Sequence, residues 1–371
     1  MRLDNSQQAF FALIQAGLWS DGNPSIRIDG TTDWQEVYRL ATEQSVHGLV
    51  LAGLEHSDVK PSKVFLLQWI GEVQMIEQRN IAMNHFVAQL TEKLRKEDIY
   101  AILVKGQGIA QCYEKPLWRS SGDIDLLLDK ENYEKAKKVL VPLATDVDTE
   151  YTHFKHQALT INGWEVELHG TLHSRLSKRV DRVTDEAQKD VLSGGKVRYV
   201  EFNSSSGSKV QVFLPAPDED IIFVFSHILH HFYIEGIGLR QICDWCMLLW
   251  TYRDSLNHKL LELRIRKAGL MSEWKAFGAL AIEYLGFPKD SMPLLNANVE
   301  LNRNLKKKAE RIMEFVLESG NFGHNRKVAD GKFSSAWNKT TDFIRHSRIF
   351  PLDSIKFLFH FVGDGIKVAT S

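Results

Sequence analysis

Two carboxylates interrupt an otherwise apolar run in Gly122-Asp123-Ile124-Asp125-Leu126-Leu127-Leu128, and little else in the chain restricts its fold as strongly. Side chains two apart on a strand share a face, so a strand here presents Asp123 and Asp125 side by side at its start. Unpaired, the two charges repel and are costly to desolvate. A divalent cation resolves that cost, because hard carboxylate oxygens are the ligands that Mg2+ or Mn2+ prefers.

The flanking sequence supplies the rest of a small sheet. Ile99–Val104 is a short, nearly continuous apolar run and reads as a buried strand. Lys105-Gly106-Gln107-Gly108 reads as a turn, with a short helix expected around Ile109–Tyr113 and a loop marked by Pro116. A helix over Asn132–Val141 is stopped by Pro142. Glu150–Ile161 and Trp164–His169 form a predicted hairpin turning at Asn162-Gly163. Its second strand carries Glu165 and Glu167, which lie two apart and share a face, so periodicity does not choose between them as a third acid. Three clustered acids of this kind suit two metals that clamp a phosphoryl group and activate a hydroxyl.

The run "VKGQGIAQCY…RSSGDIDLLL…VELHG" resembles nucleotidyltransferases of the DNA-polymerase-β-like superfamily, and most of all a bacterial group described as uncharacterised nucleotidyltransferases. It is also similar to AbiE-type toxin nucleotidyltransferases in its Lys-Gly turn and its Arg-x-Ser-x-Asp-x-Asp run. The likeness is strong over 97–170 and looser to about 250, where "HILHHF…GLRQICDW" is similar to that group's helical region. The resemblance implies an α+β fold, a polymerase-β-like core with a mixed sheet flanked by helical regions. It implies that Asp123 and Asp125 are the metal-binding pair and that Glu167, which directly precedes Leu168-His169, is the third acid. Gly106 matches the turn glycine that lets a triphosphate approach. Gln107 departs from the usual small residue at the next position and is, with Gly106, a nucleotide-binding candidate. Lys105 and Arg119 are the cationic candidates for phosphate contact, and Ser121 is a further nucleotide-binding candidate.

The rest of the chain reads as helical. Phe10, Phe11, Leu13, Ile14 and Leu18 mark one amphipathic helix, ended by Gly22-Asn23-Pro24. A second is expected from Trp34 to about Leu51, and a long one from Ser62 to Lys96 with a break near Gly71. Pro215-Ala216-Pro217 marks a boundary, with Asp218 as N-cap of the next helix. Three regions follow: a helical 1–96, an α/β nucleotidyltransferase domain 97–215 and a helical 216–371.

His227 and His231 sit one turn apart, but Ile228 stands where a His-Glu-x-x-His zinc motif needs Glu, so they are read as cleft residues instead. Arg240 and Asp244 are also four apart, which suits either an intrahelical ion pair or a shared place in the cleft. His169 is a further cleft candidate. His153, Lys155 and His156 precede the third-acid strand, with Lys155 on the face opposite His156. Cys112, Cys243 and Cys246 are too few for a disulfide framework and read as buried thiols. Lys306-Lys307-Lys308 reads as a solvated helix face, and the apolar tail from Phe343 to Phe361 as packing surface.

With 46 basic and 47 acidic residues, the net charge of −1 gives no global sign of a nucleic-acid coat or a membrane-surface binder. The polar N-terminus argues against a secretory signal, and no apolar run approaches membrane-spanning length, so the expected setting is cytoplasmic. The expected reaction moves a nucleoside monophosphate from an NTP to a hydroxyl, with Mg2+ or Mn2+ and pyrophosphate release. A small-molecule acceptor is the first reading. A toxin-like action on tRNA or protein is the alternative, and a non-catalytic nucleotide-binding protein is the third.

Overall fold

In the computed structural model, the Asn162-Gly163 turn fixes much of the sheet. Both residues take positive φ (52° and 79°), the backbone that a two-residue hairpin turn requires. The turn joins β4 (His156–Ile161) to β5 (Trp164–His169), and β3 (Asp146–Val147) pairs antiparallel on the outer side of β4. On the other side of β5 lie β2 (Ile124–Leu127), parallel to it, and then β1 (Ile102–Val104), antiparallel to β2. The result is the expected mixed sheet, five strands in the order β1-β2-β5-β4-β3. The structure describes residues 3–19, 26, 28–29, 31–150, 156–204, 207–234, 236–296, 300–320, 332–351, 353–354 and 357. The expected helix end at Gly22–Pro24, His153, Lys155 and the tail residues Ile355, Leu358, Phe359 and Phe361 lie outside them.

Strand alternation divides the sheet into two faces. Leu103, Ile124, Leu126, Val166 and Leu168 face one side, where they pack with Met83, Phe86, Val87 and Leu90 of α4 (Lys63–Lys96) and Tyr133, Ala136 and Leu140 of α6 (Lys130–Leu140). Ile102, Val104 and Leu127 face the other side, against Ala187 and Val191 of α7 (Lys178–Leu192) and Phe223 of α8 (Pro217–Ile234). Asp125 and Glu167 belong to this second face by register. The first face is sealed further by Phe202 of β6 (Val197–Asn203) and by Val210, Val212 and Leu214 of β7 (Lys209–Pro215), which form a separate two-stranded sheet.

The helices on either side of this unit share one core. From the N-terminal part come α1 (Asn5–Leu18), α2 (Trp34–Glu43) and α3 (His47–Leu54). After the short α5 (Gly106–Ala110), the C-terminal part supplies α8, α9 (Leu239–Thr251), α10 (His258–Ala268), α11 (Met271–Leu285), α12 (Arg303–Ser319) and α13 (Lys332–Ile349). Helices α1 and α3 cross with their backbones almost touching: a Cβ on Gly53 would lie 2.0 Å from the Leu13 carbonyl oxygen. Gln44, fully buried, accepts from the Leu239 amide (2.9 Å) and donates to the Val316 carbonyl (3.1 Å), so it links the N-terminal helices to α9 and α12.

Four local expectations need correction. The single helix over Trp34–Leu51 is two helices, because Ser45 takes positive φ (55°) where Gln44 turns inward. The helix after Ser62 is not broken at Gly71; it runs 34 residues, and nothing lies within 4 Å of a Cβ placed on Gly71. Asp218 lies in the first turn of α8 and accepts from the Asn257 amide, while the helix starts at Pro217, where a missing N–H costs nothing. The short helix expected around Ile109–Tyr113 starts at Gly106, inside the expected turn, and ends at Ala110, while α7 buries Val180, Val183, Thr184, Ala187 and Val191 at helical spacing. No helix among the described residues is long and apolar enough to cross a membrane.

Candidate active site

The parallel pairing of β2 with β5 sets Asp125 directly opposite Glu167. Asp123 precedes β2 by one residue, and ligand oxygens of Asp123, Asp125 and Glu167 lie within 4.8 Å of one another. Glu165 is exposed and does not join this group, so the geometry separates two acids that periodicity leaves equivalent. Asp123 carries the electrostatic signature of crowding. The charge of Asp125, followed by burial, raises its pKa, and Lys105 only partly offsets this. A group of three carboxylates that raises the pKa of one member is a fit for a hard divalent cation.

Lys105 closes the cluster on one side, its Nζ 2.7 Å from Asp125 Oδ1. Burial opposes its charge, but Asp125, Asp123 and Glu167 outweigh burial and raise its pKa, so the side chain is an ammonium. Its backbone sits at φ 58°, ψ −144°, a conformation that non-glycine residues adopt only under strain of about 1–3 kcal/mol. Gly106 follows with φ 37°, and a Cβ placed there would lie 3.5 Å from the Asp123 carbonyl. The two residues therefore make a tight turn against the start of the acidic strand. Gln107 points away from the acids. It is buried, and its amide donates to Asn80 Oδ1 (2.9 Å) of α4, which ties the turn to that helix.

Arg119 lines the smaller part of the cleft beside Lys105 and Asp123, and there it is held in an ion pair. Its Nε and Nη2 each donate over 2.7 Å to the two carboxylate oxygens of Asp244, and both side chains are 6% exposed. Asp244 therefore pairs with Arg119, which is remote in sequence, and not with Arg240 on its own helix. Arg240 donates to the Ser120 carbonyl (2.8 Å), and Arg119 Nη1 donates to Ser121 Oγ (3.0 Å). Together with Asn80, which donates to the Leu117 and Arg119 carbonyls, these contacts clamp the loop that delivers Asp123. Arg119 and Ser121 shape this loop, so a phosphate contact by Arg119 requires opening a buried ion pair. Tyr113, whose hydroxyl donates to Asp244 Oδ1 (2.8 Å), and Asn80 carry no motif in the sequence that marks them for this task.

Beyond Glu167 the histidines gather. His169 Nε2 lies 2.7 Å from Asp125 Oδ1 and 3.2 Å from Glu167 Oε2, and His156 Nε2 lies 3.1 Å from the same Glu167 oxygen. Burial alone would raise the Glu167 pKa, but these imidazoles hold it well below the usual carboxylate range. Burial opposes the charge of His169, and its hydrogen bonds to Asp125 and Glu167 outweigh this and raise its pKa. His227 faces His231 at 3.1 Å, and burial, with Lys105 adding to it, pushes the His227 pKa well down.

Two lobes of an open cleft meet at Lys105, Asp123 and His227. The smaller is lined by Gly106, Arg119, Gly122, Arg240 and Asp244. The larger, about 470 Å³, is lined by Glu167, His156, His169, Arg175 and the α8 residues His227, His230 and His231. The expected cleft residues are thus brought to one place, between the second face of the sheet and helices α8 and α9. Other motifs stay structural. Cys243 and Cys246 are fully buried, and burial pushes both thiols up. Lys306 and Lys307 are exposed, as a solvated helix face requires, with Lys306 paired to Glu283 and Lys308 donating to Ser272. Phe350 and Phe357 of the tail are buried in the shared core.

The model of a family described as "Uncharacterised nucleotidyltransferase" matches residues 30–286, more than half of the chain. No curated protein and no solved structure matches it. The likeness to AbiE-type enzymes rests on the motif run alone. With the sheet order and the acidic cluster in place, the chain belongs to this uncharacterised nucleotidyltransferase family.

Proposed function

We propose that the protein transfers a nucleoside monophosphate from an NTP to a hydroxyl of a small molecule, releasing pyrophosphate, with Asp123, Asp125 and Glu167 holding Mg2+ or Mn2+. The observation that carries this reading is the convergence of the three carboxylates across the β2–β5 pair. When bound, the ions supply charge neutralisation at the phosphoryl oxygens and favour deprotonation of the acceptor hydroxyl. The chain's own residues do the rest. Lys105, held as an ammonium at the junction of the two lobes, is the cation best placed to meet the triphosphate. The Lys105-Gly106 turn leaves room for phosphates to approach, and the Arg119–Asp244 pair fixes the loop ahead of Asp123. The nucleotide is assigned to the Gly106–Arg240 lobe and the acceptor to the histidine-lined lobe.

A small acceptor is supported by the lining of that larger lobe. Lys105 and Arg175 are the only Lys or Arg among its described lining residues, whereas a tRNA reader needs several phosphate contacts. The division 1–96, 97–215 and 216–371 and a cytoplasmic setting belong to the same proposal. The test is incubation with each labelled NTP and Mg2+ or Mn2+, using metabolite, RNA and protein fractions as acceptors. Label is expected in the metabolite fraction; label in RNA or protein instead would overturn the acceptor assignment.

A further inference from the structure

We propose that His156, Glu167 and His169 form a binding site for one first-row transition metal ion, beside the hard-cation position at Asp123 and Asp125 and sharing Glu167 with it. Counting outward from the Asn162-Gly163 turn sets His156 opposite His169 and Ala158 opposite Glu167. All four thus share the sheet face that carries Asp125. The small Ala158 leaves space beside the Glu167 carboxylate, and the two imidazole rings lie 4.8 Å apart. One ligand atom from each of the three residues falls within 4.8 Å of the others.

Hydrogen bonding alone accounts poorly for this arrangement. His169 Nε2 carries at most one proton, yet it faces two carboxylate oxygens, Asp125 Oδ1 at 2.7 Å and Glu167 Oε2 at 3.2 Å. Glu167 Oε2 also meets His156 Nε2 at 3.1 Å. Tetrahedral coordination with metal–nitrogen and metal–oxygen bonds of about 2.1 Å places neighbouring donor atoms about 3.4 Å apart. The observed nitrogen–oxygen separations of 3.1 and 3.2 Å need to open by only a few tenths of an ångström to reach it.

The donor set also defines the ion. Two imidazoles and one carboxylate suit Zn2+, Co2+, Fe2+ or Mn2+, whereas Mg2+ demands an octahedral oxygen shell. His156 and Glu167 keep side-chain exposures of 27% and 20% and line the larger lobe, so the ion retains an open position towards the cleft. Such a site is of the three-ligand kind that binds a solvent or substrate oxygen. It does not depend on the transfer reaction, because binding is read directly.

The test uses the full chain, stripped with a chelator, and titrated with Zn2+ in competition with a chromophoric chelator. One Zn2+ per chain is expected, unmoved by millimolar Mg2+. Both His156→Ala and His156→Asn should weaken it at least about tenfold, in line with the sensitivity of metal sites to lost partners. The His227→Ala and His173→Ala variants should bind Zn2+ as the wild type does, and Asp123→Asn within about threefold, since none removes one of the three ligands. Substitution with Co2+ should give the visible absorption of a four- or five-coordinate ion in the wild type and lose it in His156→Ala. Circular dichroism establishes that each variant is folded. Equal Zn2+ affinity in wild type and both His156 variants would overturn the site. So would loss of binding in His227→Ala, or displacement of Zn2+ by Mg2+.

Discussion

Replacing Asp244 by Ala should destabilise the fold and loosen the loop that delivers Asp123. The carboxylate accepts from Arg119 Nε and Nη2 at 2.7 Å each and from the Tyr113 hydroxyl at 2.8 Å. Both partners of the ion pair are 6% exposed, so solvent does not replace the missing charge. Breaking a buried pair by removing one member costs about 3–5 kcal/mol, and the orphaned tyrosine hydroxyl adds about 1 kcal/mol. An unfolding entropy of about 2.1 cal/mol/K per residue amounts to about 0.8 kcal/mol/K for a 371-residue chain that melts as one unit. The melting temperature should therefore fall by about 5–8 °C, as measured by calorimetry. Arg119→Met in the same background should recover part of the loss, because an apolar pair is tolerated where a lone buried charge is not. Arg240→Met should recover less, because Arg240 feels the Asp244 charge but its hydrogen bond goes to the Ser120 carbonyl. The reasoning is refuted if Asp244→Ala melts within about 1 °C of the wild type, or if its loss couples to Arg240 instead of Arg119.

Glu167→Gln should lower the rate of nucleotidyl transfer by about a hundredfold or more, while Glu165→Gln stays within about threefold, since only Glu167 shares the acidic cluster. Steady-state rates for the two variants decide this, and equal losses would contradict the geometry. Glu273 is fully buried, and burial, with the charge of Asp353, pushes its pKa up to about 8. The folded state then keeps a proton that the unfolded chain releases, so this stabilisation is complete below about pH 4.5 and is lost as pH rises towards 8. Between those limits the wild type should lose stability relative to Glu273→Gln by up to about 1.4 kcal/mol per pH unit. Urea midpoints that shift in parallel from pH 5 to 8 would exclude it. Gly53→Ala forces a Cβ to within 2.0 Å of the Leu13 carbonyl at the α1–α3 crossing and should cost about 1–3 kcal/mol or more. Gly71→Ala, with nothing within 4 Å, should be neutral or stabilising by up to about 1 kcal/mol. Thermal melts that rank the two the other way would show the helix crossing to be wrong.

Short-range rules carry the parts of this fold that are legible in the sequence. The alternating acids, the Asn162-Gly163 turn and the glycine turn after β1 each work within a few residues, and together they lead to the mixed sheet and to Asp123 and Asp125. The same turn carries a signal left unused: counting back from it pairs His156 with His169 without any structure. Contacts distant in sequence are another matter. The partner of Arg119 lies 125 residues away on α9, so the local i,i+4 rule favours Arg240 for Asp244, and the buried pairing wins. Gln107 falls inside the motif by position, but α4 behind β1 offers Asn80, and its side chain turns there. The break after α2 depends on Gln44 reaching α9 and α12, which no local pattern announces. Helix α7 is polar enough to hide its apolar positions among charges, although their spacing is helical.

The most direct measurement of the central claim is release of labelled pyrophosphate from NTP, with Mg2+ or Mn2+ and the metabolite fraction, by the wild type and by Asp123→Ala/Asp125→Ala. The account predicts turnover by the wild type that requires the metal and the acceptor, and a fall of at least about a thousandfold in the variant when melting shows it folded. Equal release by the two proteins would contradict it.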